Sequence, residues 1–162
     1  MGRRFLLVSA SLLWIFSYNN WASAKEPLIS VTLVKTKDSK SMMDKSKRCK
    51  LTFRFENQSY GTINSLSVSL DGFDDRGERV GEVLGADADP FEFSFRKKSM
   101  PIGGSLTSTG TTFKTGCKYL RKVKAVKVPD KFCGIRNLPE KVNCLDLIRT
   151  KSEVANIEFM KL

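Results

Sequence analysis

Cys49-Lys50-Leu51-Thr52-Phe53-Arg54-Phe55-Glu56 is the stretch that decides the fold class. Cys49, Leu51, Phe53 and Phe55 alternate with Lys50, Thr52, Arg54 and Glu56, and strict alternation is the period of a β-strand. One face of this strand then lies on a core and the other meets water. Asn57-Gln58-Ser59-Tyr60-Gly61 ends it with turn-forming residues.

The same pattern extends outward in both directions. Leu28 to Val34 is apolar and β-branched and reads as a strand. Between the two, Lys35 to Lys50 reads as a polar, mobile loop carrying Lys35, Lys37, Lys40, Lys45, Lys47, Arg48 and Lys50 against Asp38 and Asp44. Downstream, Leu66, Val68 and Leu70 alternate with Ser65, Ser67, Ser69 and Asp71. Asp74-Asp75-Arg76-Gly77 then predicts a tight turn into Val80–Leu84. Ala86–Pro90 breaks the chain again, and Phe91, Phe93 and Phe95 form another alternating run. Leu106–Phe113 is threonine-rich and strand-compatible. Tyr119–Val128 is β-leaning, its alternation slipping between Lys122 and Lys124 as at a bulge. Pro139-Glu140 opens a short helix through Leu147, and Val154–Phe159 closes the sheet.

The 162 residues include 28 Lys+Arg, 17 Asp+Glu and no histidine, formally +11. Without histidine the commonest general base, the usual metal ligand and every Ser-His or Cys-His dyad are excluded. An apolar content of 41% is too high for a disordered chain, and 11 Gly with 5 Pro are too few for collagen-like or low-complexity sequence. Met1-Gly2-Arg3-Arg4, the apolar run Phe5–Phe16 and the closing Ala22-Ser23-Ala24 have the order of a secretory signal peptide cleaved after Ala24. The apolar run spans about 18 Å as a helix, short of the roughly 30 Å of a bilayer core. Residues 1–24 carry only Arg3 and Arg4 as charges, so the processed chain has 138 residues and a formal charge of +9.

Export makes disulfides the expected state of Cys49, Cys117, Cys133 and Cys144. Four cysteines allow three pairings. Cys49–Cys117 with Cys133–Cys144 is preferred, the first tying an early strand to a late one and the second closing a short loop. With no Cys-x-x-Cys pair and no histidine, no metal site is expected.

Candidate chemistry is sparse. Asp71, Asp74, Asp75 and Glu78 cluster within eight residues, which is the composition of a calcium site or an acid–base pair, but a turn explains them more simply. Asn57-Gln58-Ser59 fits the glycosylation acceptor pattern, but a polar turn between strands explains it more simply. Two basic groups are the strongest non-structural signal: Lys35–Lys50, and Lys114, Lys118, Arg121, Lys122, Lys124, Lys127 and Lys131. Brought together, they attract an anionic polymer, lipid headgroups or an acidic protein; dispersed, they keep a β-protein soluble and blunt its edges. No aromatic-stacking motif accompanies them, so nucleic acid is not an expected partner.

From Cys49-Lys-Leu-Thr-Phe-Arg-Phe-Glu-Asn57 through Leu66–Asp71 to Phe73-Asp-Asp-Arg-Gly77, the chain resembles small periplasmic proteins of unknown function from alphaproteobacteria. It is also similar to FxLYD-type β-sandwich modules of bacterial envelope proteins. The resemblance covers residues 49–159, with the cysteines near 117, 133 and 144 and Ile157-Glu-Phe159. It implies a fold and a compartment, and supplies no catalytic residues.

The expected architecture is mainly β: an antiparallel β-sandwich, Ig-like or FxLYD-like, with one short C-terminal helix and two disulfides. The expected organisation is a signal peptide (1–24), a strand and basic loop (25–48) and the sandwich domain (49–162). The expected function is non-enzymatic and needs no cofactor. It is binding of an envelope or extracellular protein or anionic polymer through exposed loops and the basic strand at Arg121, Lys122, Lys124 and Lys127, with no membrane span after processing. The rivals are a small hydrolase using the Asp71–Glu78 carboxylates and a secreted effector acting on a host.

Overall fold

The computed structural model describes residues 28–42, 44–80, 99–128, 133–136 and 142–162. The leader, residues 81–84 of the returning strand, the 86–90 break, the Phe91–Phe95 strand and the Pro139-Glu140 helix start lie outside these residues.

Strand β2 (Lys47–Asn57) follows its alternation closely: Cys49, Leu51, Phe53 and Phe55 are at most 1% exposed, and the residues between them face outward. It pairs antiparallel with β1 (Ile29–Lys40) on one side and with the threonine-rich β6 (Ser105–Phe113) on the other. Strand β9 (Ile148–Ser152) adds to β1 in parallel, giving the order β6-β2-β1-β9. The second sheet has the order β10-β7-β4-β5, with β4 at Ser69–Asp74, β5 at Arg79–Val80, β7 at Leu120–Lys127 and β10 at Glu158–Lys161. Strands β3 (Ile63–Leu66) and β8 (Cys133–Ile135) form a small third sheet.

The two larger sheets bury their inner faces against each other. Phe53 of β2 meets Phe159 of β10 with ring centroids 5.3 Å apart. A Cβ on Gly72 of β4 would come within 2.8 Å of Phe113 of β6, so glycine is what leaves room for that ring between the sheets. Each buried phenylalanine contributes about 1.5–3 kcal/mol through area removed from water. The disulfides join Cys49 to Cys117 (Cα–Cα 4.6 Å) and Cys133 to Cys144 (Cα–Cα 6.2 Å), as preferred from the sequence.

Several expectations are corrected. Lys35–Lys50 is a paired hairpin arm instead of a mobile loop: β1 continues to Lys40, β2 begins at Lys47, and the register runs to Lys40 opposite Lys47. Polarity misled because ladder hydrogen bonds need no apolar side chain. A bulge at Val34 also shifts the phase, placing Thr36, Asp38 and Lys40 on the face of Leu51 and Cys49. The run Ser65–Asp71 is not one strand. It breaks at Ser67-Val68, both buried, and its halves enter different sheets. The irregularities in β7 fall at Arg121 and at Val126, because Phe73 and Asp74 of β4 oppose Lys122 and Leu120 while Ser69 and Leu70 oppose Lys127 and Ala125.

At the C-terminal end, the expected helix is a single 3-10 turn at Cys144–Leu147, capped by the Asn143 side chain accepting from the Leu145 amide (3.0 Å). The closing strand lies at 158–161, and β8 and β9 were not legible from alternation. The β1–β9 and β7–β10 pairs are parallel, so a sandwich otherwise built from antiparallel pairs is mixed at those two positions.

Candidate functional site: a basic arm and the cleft at its base

The arm extends the β1–β2 pair past the point where β6 and the 114–119 loop leave it. Its inner face holds Asp38, whose Oδ1 accepts from the Cys117 amide at 2.7 Å, and Cys49, which is bonded to Cys117. The arm is therefore anchored at its base by one covalent bond and one charge-assisted hydrogen bond.

Its tip is a closed turn. The Ser41 amide donates to Ser46 O (3.0 Å), the Asp44 amide to Ser41 Oγ (3.3 Å), and the Ser46 amide and hydroxyl both donate to Asp44 Oδ1 (3.0 and 2.7 Å). Hydrogen bonds from the Ser41 and Ser46 hydroxyls and the Ser46 amide hold the Asp44 carboxyl well below the usual carboxylate range, with Arg48 3.6 Å away adding to this. Both acidic residues of the arm are thus engaged within the fold.

Apart from Arg48, which pairs with Asp44, the cations of the arm are not. Lys37 lies directly opposite Lys50, and Lys40 directly opposite Lys47. Among the described residues, none of these four, nor Lys35 or Lys45, has a carboxylate within salt-bridge distance. Opposed like charges destabilise a ladder. At a separation of about 6 Å the repulsion in water is about 0.7 kcal/mol per pair, and more at low salt and partial burial. Lys45 adds a backbone cost, since its φ of 56° lies in the left-handed region that glycine or asparagine occupies more easily.

At the arm's base, Asp38, Ser39, Lys40, Lys47, Gly116 and Lys118 line a cleft of about 460 Å³. Lys118 Nζ sits 4.6 Å from the Tyr119 ring centroid. Hydrogen bonding between the two, and then charge, lowers the Tyr119 phenol from its ordinary value and raises the Lys118 ammonium. Lys47 lowers the phenol further, which places the arm, the Cys117 loop and Tyr119 in one electrostatic neighbourhood.

The residues singled out on β7 have a different setting. Arg121 Nη1 donates to the Lys118 carbonyl (2.7 Å), Lys122 pairs with Glu158 (3.2 Å), and Lys124 lies 5.1 Å from the Phe73 ring centroid. Lys127 is exposed, opposite Ser69. With Asp71 and Glu158 on the same sheet, this face carries both signs of charge. Arg121, beside the Lys118 loop, is the one brought close to the cleft.

The Asp71–Glu78 carboxylates sit on the β4–β5 hairpin. Asp71 pairs with Arg79, while Asp74 Oδ1 accepts from the Arg76 and Glu78 amides, both at 2.9 Å. Gly77, with φ of 77°, completes the turn expected from the sequence. Among the described residues no group of three or more carboxylates or thiols is arranged to hold a metal ion. A second cleft of about 530 Å³ lies on the outer face of the first sheet, where Arg54 bridges Glu56 and Glu153 and Arg149 and Lys151 also line the walls.

Asn57 is structural. Its side chain is buried and donates to the carbonyls of Gly61, Met100 and Pro101. The signal was present in the sequence: 57 continues the buried phase of 49, 51, 53 and 55. Compared with known proteins, the chain matches no family model, no curated protein and no solved structure.

Proposed function

We propose that this is an exported, non-enzymatic β-sandwich protein that binds an anionic partner at the cell envelope or outside the cell, through the β1–β2 arm and the adjoining Lys118 loop. The observation that carries this reading is two opposed lysine pairs that, among the described residues, have no carboxylate within salt-bridge distance. Lys37 faces Lys50 and Lys40 faces Lys47 on a hairpin anchored through Cys49–Cys117, with both of its carboxylates already engaged. The two pairs lie on opposite faces of the hairpin, so an anion on either face would screen one pair of opposed ammoniums.

Export is supported by the leader pattern of residues 1–24 and by two disulfides, which persist in oxidising compartments. Among the described residues no helix is long and apolar enough to cross a membrane.

The test is binding to anionic envelope polymers across a salt series. Affinity is expected to fall steeply with ionic strength. Lys37→Gln with Lys40→Gln is expected to cost more than Lys122→Gln with Lys124→Gln. Affinity indifferent to salt, or equal losses from both pairs, would remove the arm from the reading.

A further inference from the structure

We infer that the arm docks on an anionic lipid surface, its lysines meeting headgroup phosphates and Met42 entering the interfacial layer. This rests on the anionic-partner reading above and narrows it to one partner class.

The observation that separates a bilayer from a soluble polyanion is the apex of the arm. Met42 is 92% exposed in a turn that internal hydrogen bonds hold closed, with Lys40 before it and Lys45, Lys47 and Arg48 after it. An exposed apolar side chain in this turn gains nothing against a hydrated polymer but leaves water at a bilayer interface. With these cations close to it in sequence, the turn has the composition of an interfacial anchor, an apolar side chain among basic residues. The base of the arm repeats this arrangement, since Tyr119 is 43% exposed and stands beside Lys118, an amphipathic ring with an adjacent ammonium.

The geometry also explains why the arm is a ladder and not a loop. A paired hairpin tied to Cys117 presents its tip without the ordering cost that a disordered basic segment bears on binding. The opposed lysine pairs lose their repulsion where phosphates lie between them. Each lysine near an anionic bilayer contributes about fivefold in affinity, so several together give measurable binding without an inserted helix.

The experiment uses the disulfide-intact protein with three probes: phosphatidylcholine vesicles, mixed phosphatidylglycerol–phosphatidylcholine vesicles, and soluble polyphosphate. Expected is salt-sensitive binding to the mixed vesicles and none to pure phosphatidylcholine. Met42→Ser is expected to weaken vesicle affinity about fivefold while leaving polyphosphate affinity unchanged. Met42→Trp is expected to show a blue-shifted emission, relative to the parent protein, on adding the mixed vesicles.

Binding to polyphosphate but not to vesicles would overturn the lipid inference and leave the anionic-partner reading standing. Vesicle binding unaffected by Met42→Ser, with no spectral shift in Met42→Trp, would overturn the insertion step and with it the inference. Failure to bind either anion would overturn both readings.

Discussion

Asn57→Ala removes the polar centre of the turn that ends β2. The side-chain amide has two N–H donors, shared among the carbonyls of Gly61 (2.9 Å), Met100 (3.0 Å) and Pro101 (3.0 Å). Its Oδ1 accepts from the Ser59 amide (2.9 Å) and hydroxyl (2.6 Å). The three carbonyls each keep another donor in the variant: Ser59 Oγ for Gly61, the Ile63 amide for Met100 and the Gly104 amide for Pro101. The buried Ser59 amide is left without its partner. Three hydrogen bonds (two from the side-chain N–H groups and one from the Ser59 amide) at about 1 kcal/mol each, with that amide then unpaired, put the expected loss at about 3–5 kcal/mol. That is a large fraction of a typical domain's 5–15 kcal/mol.

Asn57→Asp sharpens the test, because it keeps the acceptor and turns the donor into an oxygen facing three carbonyls. Burial and those carbonyls favour the protonated acid, so its folded pKa rises above the ordinary value of about 3.9. A raised folded pKa means the variant is least impaired below that value and loses stability as pH rises through it. Urea unfolding of the disulfide-intact proteins, followed by circular dichroism at about pH 4 and about pH 7, measures both effects. An Asn57→Ala loss below about 1 kcal/mol, or an Asn57→Asp variant equally stable at both pH values, would refute the assignment of Asn57 as the structural centre of this end.

Gly72→Ala is expected to lower stability by about 1–3 kcal/mol, because the added methyl overlaps Phe113 and Val80; an unchanged melting temperature would show that the sheets can part there. In the chain-entropy picture, removing Cys49–Cys117 (separation 68) is expected to cost about 4 kcal/mol and removing Cys133–Cys144 (separation 11) about 3 kcal/mol, both read from denaturant midpoints of paired Cys→Ala variants. Lys45→Gly relieves a left-handed backbone, so its stability should stay within about 1 kcal/mol of the parent while anion affinity falls; a larger loss would mean that the lysine side chain itself holds the turn. Lys118→Met is expected to move the Tyr119 phenol upward in an ultraviolet titration, since the ammonium is what favours the phenolate; an unmoved phenol would separate Tyr119 from the cleft's electrostatics.

What was legible depended on whether a residue's role was set by its neighbours in sequence. The β2 alternation, the Asp74–Gly77 turn and the threonine-rich β6 are local patterns, and each is found where it was read. The arm was misread because polarity along one strand says nothing of the partner strand that satisfies its backbone. Its lysines were counted correctly, but their opposition depends on register, which the Val34 bulge shifts by one residue. The β7 cations were chosen for their density, and Glu158, from a strand far along the chain, sits opposite Lys122. Asn57 was taken as an ordinary turn residue although it lies in the buried phase, because its three acceptors come from two loops 4 to 44 residues away.

By itself the sequence determined the class of structure and the inventory of charge and sulfur. Alternation requires strands, the cysteines suit an oxidising compartment, and the chain carries an excess of lysine with no histidine. Tertiary structure alone decided which cations stand unneutralised. Charge becomes a surface only when strands from distant parts of the chain fix what lies opposite each ammonium, and that pairing is a property of register and sheet order.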